Sequence, residues 1–467
     1  MHFDDYIRSQ KADFETRLFE ILRIPSVSAS AENKPDMKRC ADYLLHQFQA
    51  LAIQCELIAT AGNPLVYAEY TPANAADAPV ILIYGHYDVQ PPDPLNLWQS
   101  PPFEPEVRNG NVYARGANDD KGQTLTHLFA VESLLKTEGT LPCKVKFILE
   151  GEEEVGSQSL HDYVYSEAGK RKLACDCILV SDTNMFAPGQ PTITYGIRGI
   201  LAAELYLTGP NRDLHSGIYG GAVYNPAAAL TKILSQFVDA AGRIQIPHFY
   251  DDVIPLTAKE RQQFAALPFD ESAFFADLNL HVNGQATWGE SGYSVNERRW
   301  TRPSFDINGL TAGYQGSGSK TIIPGKASAK FTFRLVPDQD PKKVFQSLQD
   351  FIASIVPDGI TWELEWQHGE GAMCLDLEKS RFVQPMSAAL EKTFDRKPVF
   401  IREGGSVPII ADCHQVLGAD VLFTGWGQED DAIHSPNEKF SLESFAKGIR
   451  ASAEFLKLTK EMKCLKH

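Results

Sequence analysis

The sequence predicts an α/β fold: a mixed, mostly parallel sheet flanked by helices, with a smaller α+β module inserted into it. Three observations predict this. Strand-type apolar runs alternate with segments of helical period at both ends of the chain. In the middle the style changes to strands that alternate apolar and polar, as in a sheet with one wet face. Acids and histidines stand where the apolar runs end. A chain of 467 residues also exceeds what one core organises, so two domains are the default.

In chain order, residues 14–22 and 37–51 carry apolar side chains at helical spacing. Strands follow at 55–58, 65–70 and 79–84. The last of these, PVILIY, is a continuous apolar run and suits a central strand covered on both faces. Residues 120–135 read as a helix, and 143–149 and 177–180 as further strands. Alternation then appears at 201–207, 327–335 and 361–366, with helices at 225–240 and 341–355. Asp340 caps the second of these, with Pro341 at its first position. The order is that of a split βαβ, ferredoxin-like module, interrupted by a long insertion at about 243–318. From 373 the α/β style returns, with helices at 380–393, 407–413 and 442–458 and strands at 399–401 and 421–423. The expected domains are therefore 1–192 with 373–467, and an inserted 193–372.

The formal net charge of -16 argues against nucleic acid or an anionic membrane as partner. No apolar run is long enough to span a bilayer. The opening MHFDDYIRSQ is polar and acidic, unlike a secretory signal. The eight cysteines are scattered and lack scaffold spacing, which fits reduced thiols and a cytoplasmic location.

The chemistry-bearing residues recur just past strands, where α/β sheets gather ligands. His86 and Asp88 lie in YGHYDVQP, Asp119 and Asp120 in RGANDDKG, and Glu153 and Glu154 in EGEEEVGS. Asp182 lies in LVSDTN and His434 in DDAIHSPNE. Each admits a plainer reading alone: a helix cap for Asp119, a solvated turn for the glutamates, a loop histidine for His434. For His46, His127 and His161 the satisfied core residue is the better reading. In H-x-D both side chains point the same way in extended chain, so Asp88 can orient the His86 ring. Taken jointly, two histidines, two terminal carboxylates and one bridging carboxylate give each of two metal ions three ligands. Mixed nitrogen and oxygen donors without thiolate suit zinc, manganese or cobalt.

The motifs GHYDVQP, ANDDKG, EGEEEVGS, LVSDTN, the RG after YGI with DLHSGIYGG, EGGSVPI and AIHSPNE resemble the dinuclear metallopeptidase family of cytosolic non-specific dipeptidases and carnosinases. Acetylornithine deacetylase, succinyl-diaminopimelate desuccinylase and carboxypeptidase G2 are more distant relatives. The resemblance covers nearly the whole chain. It implies that His86 and Asp182 bind one metal, Glu154 and His434 the other, and that Asp119 bridges them. It makes Glu153 the general base and places Asp88 behind His86. It implies a non-proline cis peptide after Asp119, and a homodimer in which the inserted 193–372 serves as lid and dimerisation domain and its His215 reaches the neighbouring subunit's site.

The implied reaction is hydrolysis of a dipeptide amide by a metal-bridging hydroxide. His215 would steady the oxyanion, and an arginine fork at Arg334 would hold a carboxylate. Gly405 and Ser406, before a predicted helix, offer an anion site. The resemblance adds Thr321, for which a strand-edge hydroxyl is an equal reading. A dipeptidase is preferred over an N-acyl amino-acid amidohydrolase because GHYDVQP and the long insertion resemble the dipeptidase branch. A metal-dependent binding protein is the third reading, against which Glu153 stands.

Overall fold

The computed structural model describes residues 1–73, 77–280, 288–405, 407–460 and 462. The chain divides into two compact units. The first is Met1–Tyr195, Leu375–Ile401 and Asp412–His467; the second is Gly196–Cys374 and Arg402–Ala411.

The sheet of the first unit is built on the apolar runs. Its order is Gln54–Ile58, Leu65–Tyr70, Lys144–Glu150, Val80–His86, Cys177–Val180, Asp420–Phe423, then Thr192–Ile197. The four central strands, from Lys144–Glu150 to Asp420–Phe423, are mutually parallel. Antiparallel strands flank them on both sides. The Val80–His86 strand is buried from Ile81 onward, as its unbroken apolar sequence requires. It runs through His86, so this histidine ends the strand rather than following it.

The helix Lys121–Glu138 is buried at every residue from Lys121 to Leu134. It packs against the terminal helix Leu442–Leu458 on one side and the Val80–His86 strand on the other. Gly85 permits this approach: a Cβ there would lie 2.0 Å from Thr124 Oγ1 and 2.9 Å from Asp120 Oδ2. The start of the helix is thereby set against the strand end that carries His86.

The second unit is a four-stranded antiparallel sheet in the order Ser304–Ala312, Lys326–Leu335, Gly199–Thr208, Thr361–Glu370. Its helices Pro226–Leu234 and Pro341–Ile355 complete a split βαβ pattern. Its core centres on Phe237, Phe305, Phe331 and Phe333. Two expectations are corrected here. The strand Ser304–Ala312 lies inside the stretch read as an insertion, because its pairing slips between Ile307 and Gly309 and breaks the period of two. The helix read over 225–240 ends at Leu234. Ser235 Oγ and Gln236 Nε2 both donate to the Lys232 carbonyl, and Phe237 turns into the core. Between Arg243 and Thr301 the chain adds the helices Ala258–Ala265, Glu271–Asp277 and Val295–Thr301. Among the described residues no helix is long and apolar enough to cross a membrane.

Candidate metal centre

The parallel strands deliver the acids and histidines to their shared carboxyl edge, all within the first unit. His86 ends one strand. Glu153 and Glu154 follow Lys144–Glu150 in a short 3-10 turn. Asp182 follows Cys177–Val180, and His434 sits in the loop after Asp420–Phe423. Asp119 precedes the buried helix, and its peptide bond to Asp120 is cis.

Asp119 is the hinge of the cluster. Its Oδ1 lies 3.0 Å from His86 Nε2, and its Oδ2 lies 2.9 Å from His434 Nε2. Asp182 Oδ2 is 3.9 Å from His86 Nε2, and Glu154 Oε2 is 3.3 Å from His434 Nε2. Three overlapping groups result: His86 with Asp119 and Asp182, Asp119 with Glu154 and His434, and His86 with Glu153 and Glu154.

His86 is enclosed, and its ring is oriented from behind. Nδ1 lies 3.1 Å from the Asp88 carbonyl and 3.3 Å from Asp88 Oδ1. The same Asp88 carboxylate accepts from the backbone N–H groups of Glu153 and Glu154. It therefore fixes three members of the cluster at once. Asp120 holds the N-cap position, but its side chain makes no capping bond. Its Oδ2 instead accepts from Thr124 Oγ1 at 2.7 Å and from the His86 amide at 3.3 Å.

The electrostatics of the cluster favour positive charge. Burial opposes a charged His86 ring, yet Asp119 and Asp88 hold its pKa well above the ordinary value. Asp119 and Glu154 push His434 up to about 10. Burial works against the Asp119 charge, but His434 and His86 keep its pKa below the usual carboxylate range. Burial pushes Glu153 up to about 8, with Glu154 and Asp119 adding to it against the pull of His86. Asp182 is raised by burial and by Asp119. Imidazoles that retain protons beside carboxyls that resist ionising mark a site short of cations.

The donor set fits divalent ions. His86 Nε2 is buried and makes no hydrogen bond of acceptable geometry, although Asp119 Oδ1 is close. Single ligand atoms from His86, Asp119 and Asp182 lie within 4.8 Å of one another. Ligands about 2.1 Å from one tetrahedral ion stand about 3.4 Å apart, and the separations found here bracket that value.

The candidate substrate residues belong to the second unit. His215 is exposed, and its Nδ1 accepts from the Gly217 amide at 3.0 Å. The neutral ring then carries its proton on Nε2. Thr321 is its neighbour: Ile322 pairs with His215, and the Thr321 carbonyl accepts from the Ser216 amide. Arg334 is half-buried on the Lys326–Leu335 strand, opposite Ser304 and Ile200. Gly405 is exposed, while Ser406 lies outside the described residues.

Sequence reasoning passed over two residues. Gln90 Nε2 donates to Glu154 Oε2 at 2.7 Å. Arg198 Nε donates to the Gly404 carbonyl at 3.1 Å, and burial and Arg334 pull its pKa down to about 10. Both lie in motifs already singled out, GHYDVQP and the RG after YGI, where position beside a candidate was the available signal. Among the histidines set aside as core, His127 is buried and satisfied, whereas His46 and His161 are exposed.

Residues 82–458 match the family model Peptidase family M20/M25/M40. The chain is 31% identical to the Cys-Gly metallodipeptidase of Schizosaccharomyces pombe over 96% of its own length and 95% of that protein. It is 30% identical to the Beta-Ala-His dipeptidase of Homo sapiens over 80% of its own length and 74% of that protein. Among solved structures, an M20 family metallo-carboxypeptidase from Sulfolobus solfataricus superposes with a TM-score of 0.83 at 34% identity, covering 96% of this chain and 99% of that one. On this match and these similarities, the chain belongs to peptidase family M20/M25/M40.

Proposed function

We propose that the protein is a metal-dependent dipeptidase that works with two divalent ions, zinc first and manganese or cobalt as alternatives. The observation that carries this reading is Asp119, whose two oxygens each face a different histidine. His86 and Asp182 would hold one ion, Glu154 and His434 the other, and Asp119 both. The names of the relatives support the substrate class: Cys-Gly and Beta-Ala-His are both dipeptides.

Such ions, when bound, act as Lewis acids that polarise a carbonyl and lower the pKa of water. The chain's own residues do the rest. Asp88 keeps His86 in register and holds the amides beside Glu153. Glu153, which burial raises to about 8 in the absence of cations, would take a proton from the attacking water. The same carboxyl then returns that proton to the departing amine. His215 Nε2–H would donate to the developing oxyanion, and Arg334 with the Gly405 backbone would hold the substrate carboxylate. The reading includes a homodimer in which His215 serves the partner's centre, a lid role for the second unit, and a cytoplasmic location.

The test is a hydrolysis screen on metal-stripped protein reloaded with zinc, manganese or cobalt. Turnover of dipeptides above N-acetyl and N-succinyl amino acids is expected. Preference for the acylated set would restore the amidohydrolase alternative, which the dipeptidase relatives do not favour. A second reading, release of the last residue from longer peptides, is favoured by the similarity to a metallo-carboxypeptidase; tri- and tetrapeptides in the panel decide it. No amide turnover with any metal would leave a binding protein. Mixing His215→Ala with Glu153→Ala protein tests the shared site. Regained activity is expected, and none despite subunit exchange would refute it.

A further inference from the structure

Glu438 lies four residues after His434 and is fully buried. Its carboxyl meets N–H donors at both oxygens. Oε2 accepts from Arg115 Nη1 at 2.7 Å and from the Gly116 amide at 2.9 Å. Oε1 accepts from the Asn118 amide at 3.0 Å and the Asp119 amide at 3.1 Å. Burial pushes the Glu438 pKa up while Arg115 and the backbone amides oppose it; those amides and the guanidinium cannot accept, so both oxygens act as acceptors and the group is a carboxylate. The Glu438 backbone carbonyl also accepts from the Ala114 amide at 3.1 Å. One residue thus grips the loop from Ala114 to Asp119 along its length.

The His434 loop needs such a grip. Ala432, His434 and Asn437 all have left-handed backbone, with φ of 54°, 58° and 65°. Non-glycine residues stay there only when their surroundings over-determine them. On one side, Asp431 accepts from the Gln428 amide at 2.7 Å and from Lys439 Nζ at 3.1 Å. Asn437 exchanges hydrogen bonds with the Leu97 carbonyl and the Gln99 amide. Glu438 closes the loop, and its grip includes the backbone of Asp119 itself. His434 and Asp119, which face each other at 2.9 Å, are therefore fixed relative to one another through Glu438.

We propose that Glu438 is a positioning residue: by clamping the Asp119 loop to the His434 loop, it sets the affinity of the centre for divalent cations without touching cation or substrate. The inference rests on the metal-dependent reading above. Such residues behind a ligand change metal affinity by about 10–100-fold.

The experiment titrates metal-stripped full-length protein with zinc against a competing chelator and counts bound ions. Wild type, Asp119→Asn, Glu438→Gln and Leu160→Ala are compared, with thermal midpoints recorded. Glu438→Gln replaces an accepting oxygen with an NH₂ group that faces two N–H donors. It is expected to bind zinc about 10–100-fold more weakly. Leu160→Ala, a core truncation elsewhere in the same unit, is expected to lose thermal stability while keeping its zinc affinity. Wild-type zinc affinity in Glu438→Gln overturns the proposal. So does an equal affinity loss in Leu160→Ala at matched stability, which would make the role one of general folding. If Glu438→Gln does not fold, Glu438→Asp keeps the charge but is too short for both amide pairs, and the same criterion applies to it. Failure of the underlying reading looks different: wild type itself would bind no zinc, or Asp119→Asn would bind it unchanged.

Discussion

The His86 half of the cluster and the His434 half share Asp119, but not their surroundings. The His86 side chain is 0% exposed, ends a central strand, and has its ring set by Asp88. The His434 side chain is 54% exposed and rides on a loop with three left-handed residues. A strand positions its last side chain through the sheet ladder. A loop must be tied, here by Asp431, Asn437 and Glu438. One half is thus preorganised by the fold and shielded from water, while the other depends on tethers and faces solvent.

The shared carboxylate gives the largest effect. Asp119→Asn should strip both halves, leaving hydrolysis at the level of heat-denatured protein. Elemental analysis that still counted two ions per chain would deny that the halves are joined through Asp119. Next comes Glu153→Gln, which should lower turnover by about 10²–10⁴-fold with both ions retained. A parallel loss of metal would move Glu153 from base to ligand. The asymmetry itself is tested by His86→Ala against His434→Ala. The second should keep one firmly held ion, whereas the first should keep one that a chelator removes quickly. Equal removal rates would erase the distinction.

Acidity sharpens the same comparison. In the metal-free protein the His434 ring holds its proton up to about pH 10, because Asp119 and Glu154 favour the cation. A metal ion must displace that proton, so apparent affinity should rise with pH from 6 toward 10, about tenfold per unit for each proton displaced. Calorimetry in buffers of different ionisation heat should register at least one proton released per chain at pH 7. Release of none would mean the ring is already neutral.

The smallest effect concerns a histidine outside the cluster. Ser181 Oγ donates to the Thr424 carbonyl at 2.6 Å, so it accepts from His127 Nε2–H, and His127 Nδ1 accepts from Ser452 Oγ. Burial pulls the His127 pKa down to about 3. Below the unfolded pKa of about 6.5, the unfolded chain gains a proton that the folded chain refuses. The His127 contribution is whole above that pH and is lost as pH falls toward 3. Between pH 7 and 5, metal-free wild type should lose about 2 kcal/mol more than His127→Gln. Denaturation curves that shift equally in both would place the ring in water.

Read from the chain alone, His86, Glu153, Glu154 and Asp182 were legible because each stands where an apolar run ends, whereas Asp119, in a Gly-rich turn before a helix, and His434, in a loop, were reached only through the motifs that hold them. Strand ends in a parallel sheet share one edge, so local pattern carried long-range information. The strand Ser304–Ala312 was hidden because its pairing slip destroys the alternation that announces a strand. Gln90 and Arg198 were hidden for a different reason: a polar residue in a loop carries no periodic signal, and its meaning lies wholly in what it faces.

Composition and periodicity by themselves determined the α/β class and the central buried strands, since burial of apolar surface is written in residue order; the membership of the cluster was implied by the ordered motifs and the family they resemble. Only the tertiary structure decided that Asp119 turns one oxygen to each histidine, that Asp120 leaves its cap to meet Thr124, and that Glu438 binds two distant loops together. Those are hydrogen-bond and charge relations between segments far apart in the chain, and their geometry exists only once the backbone has closed around them.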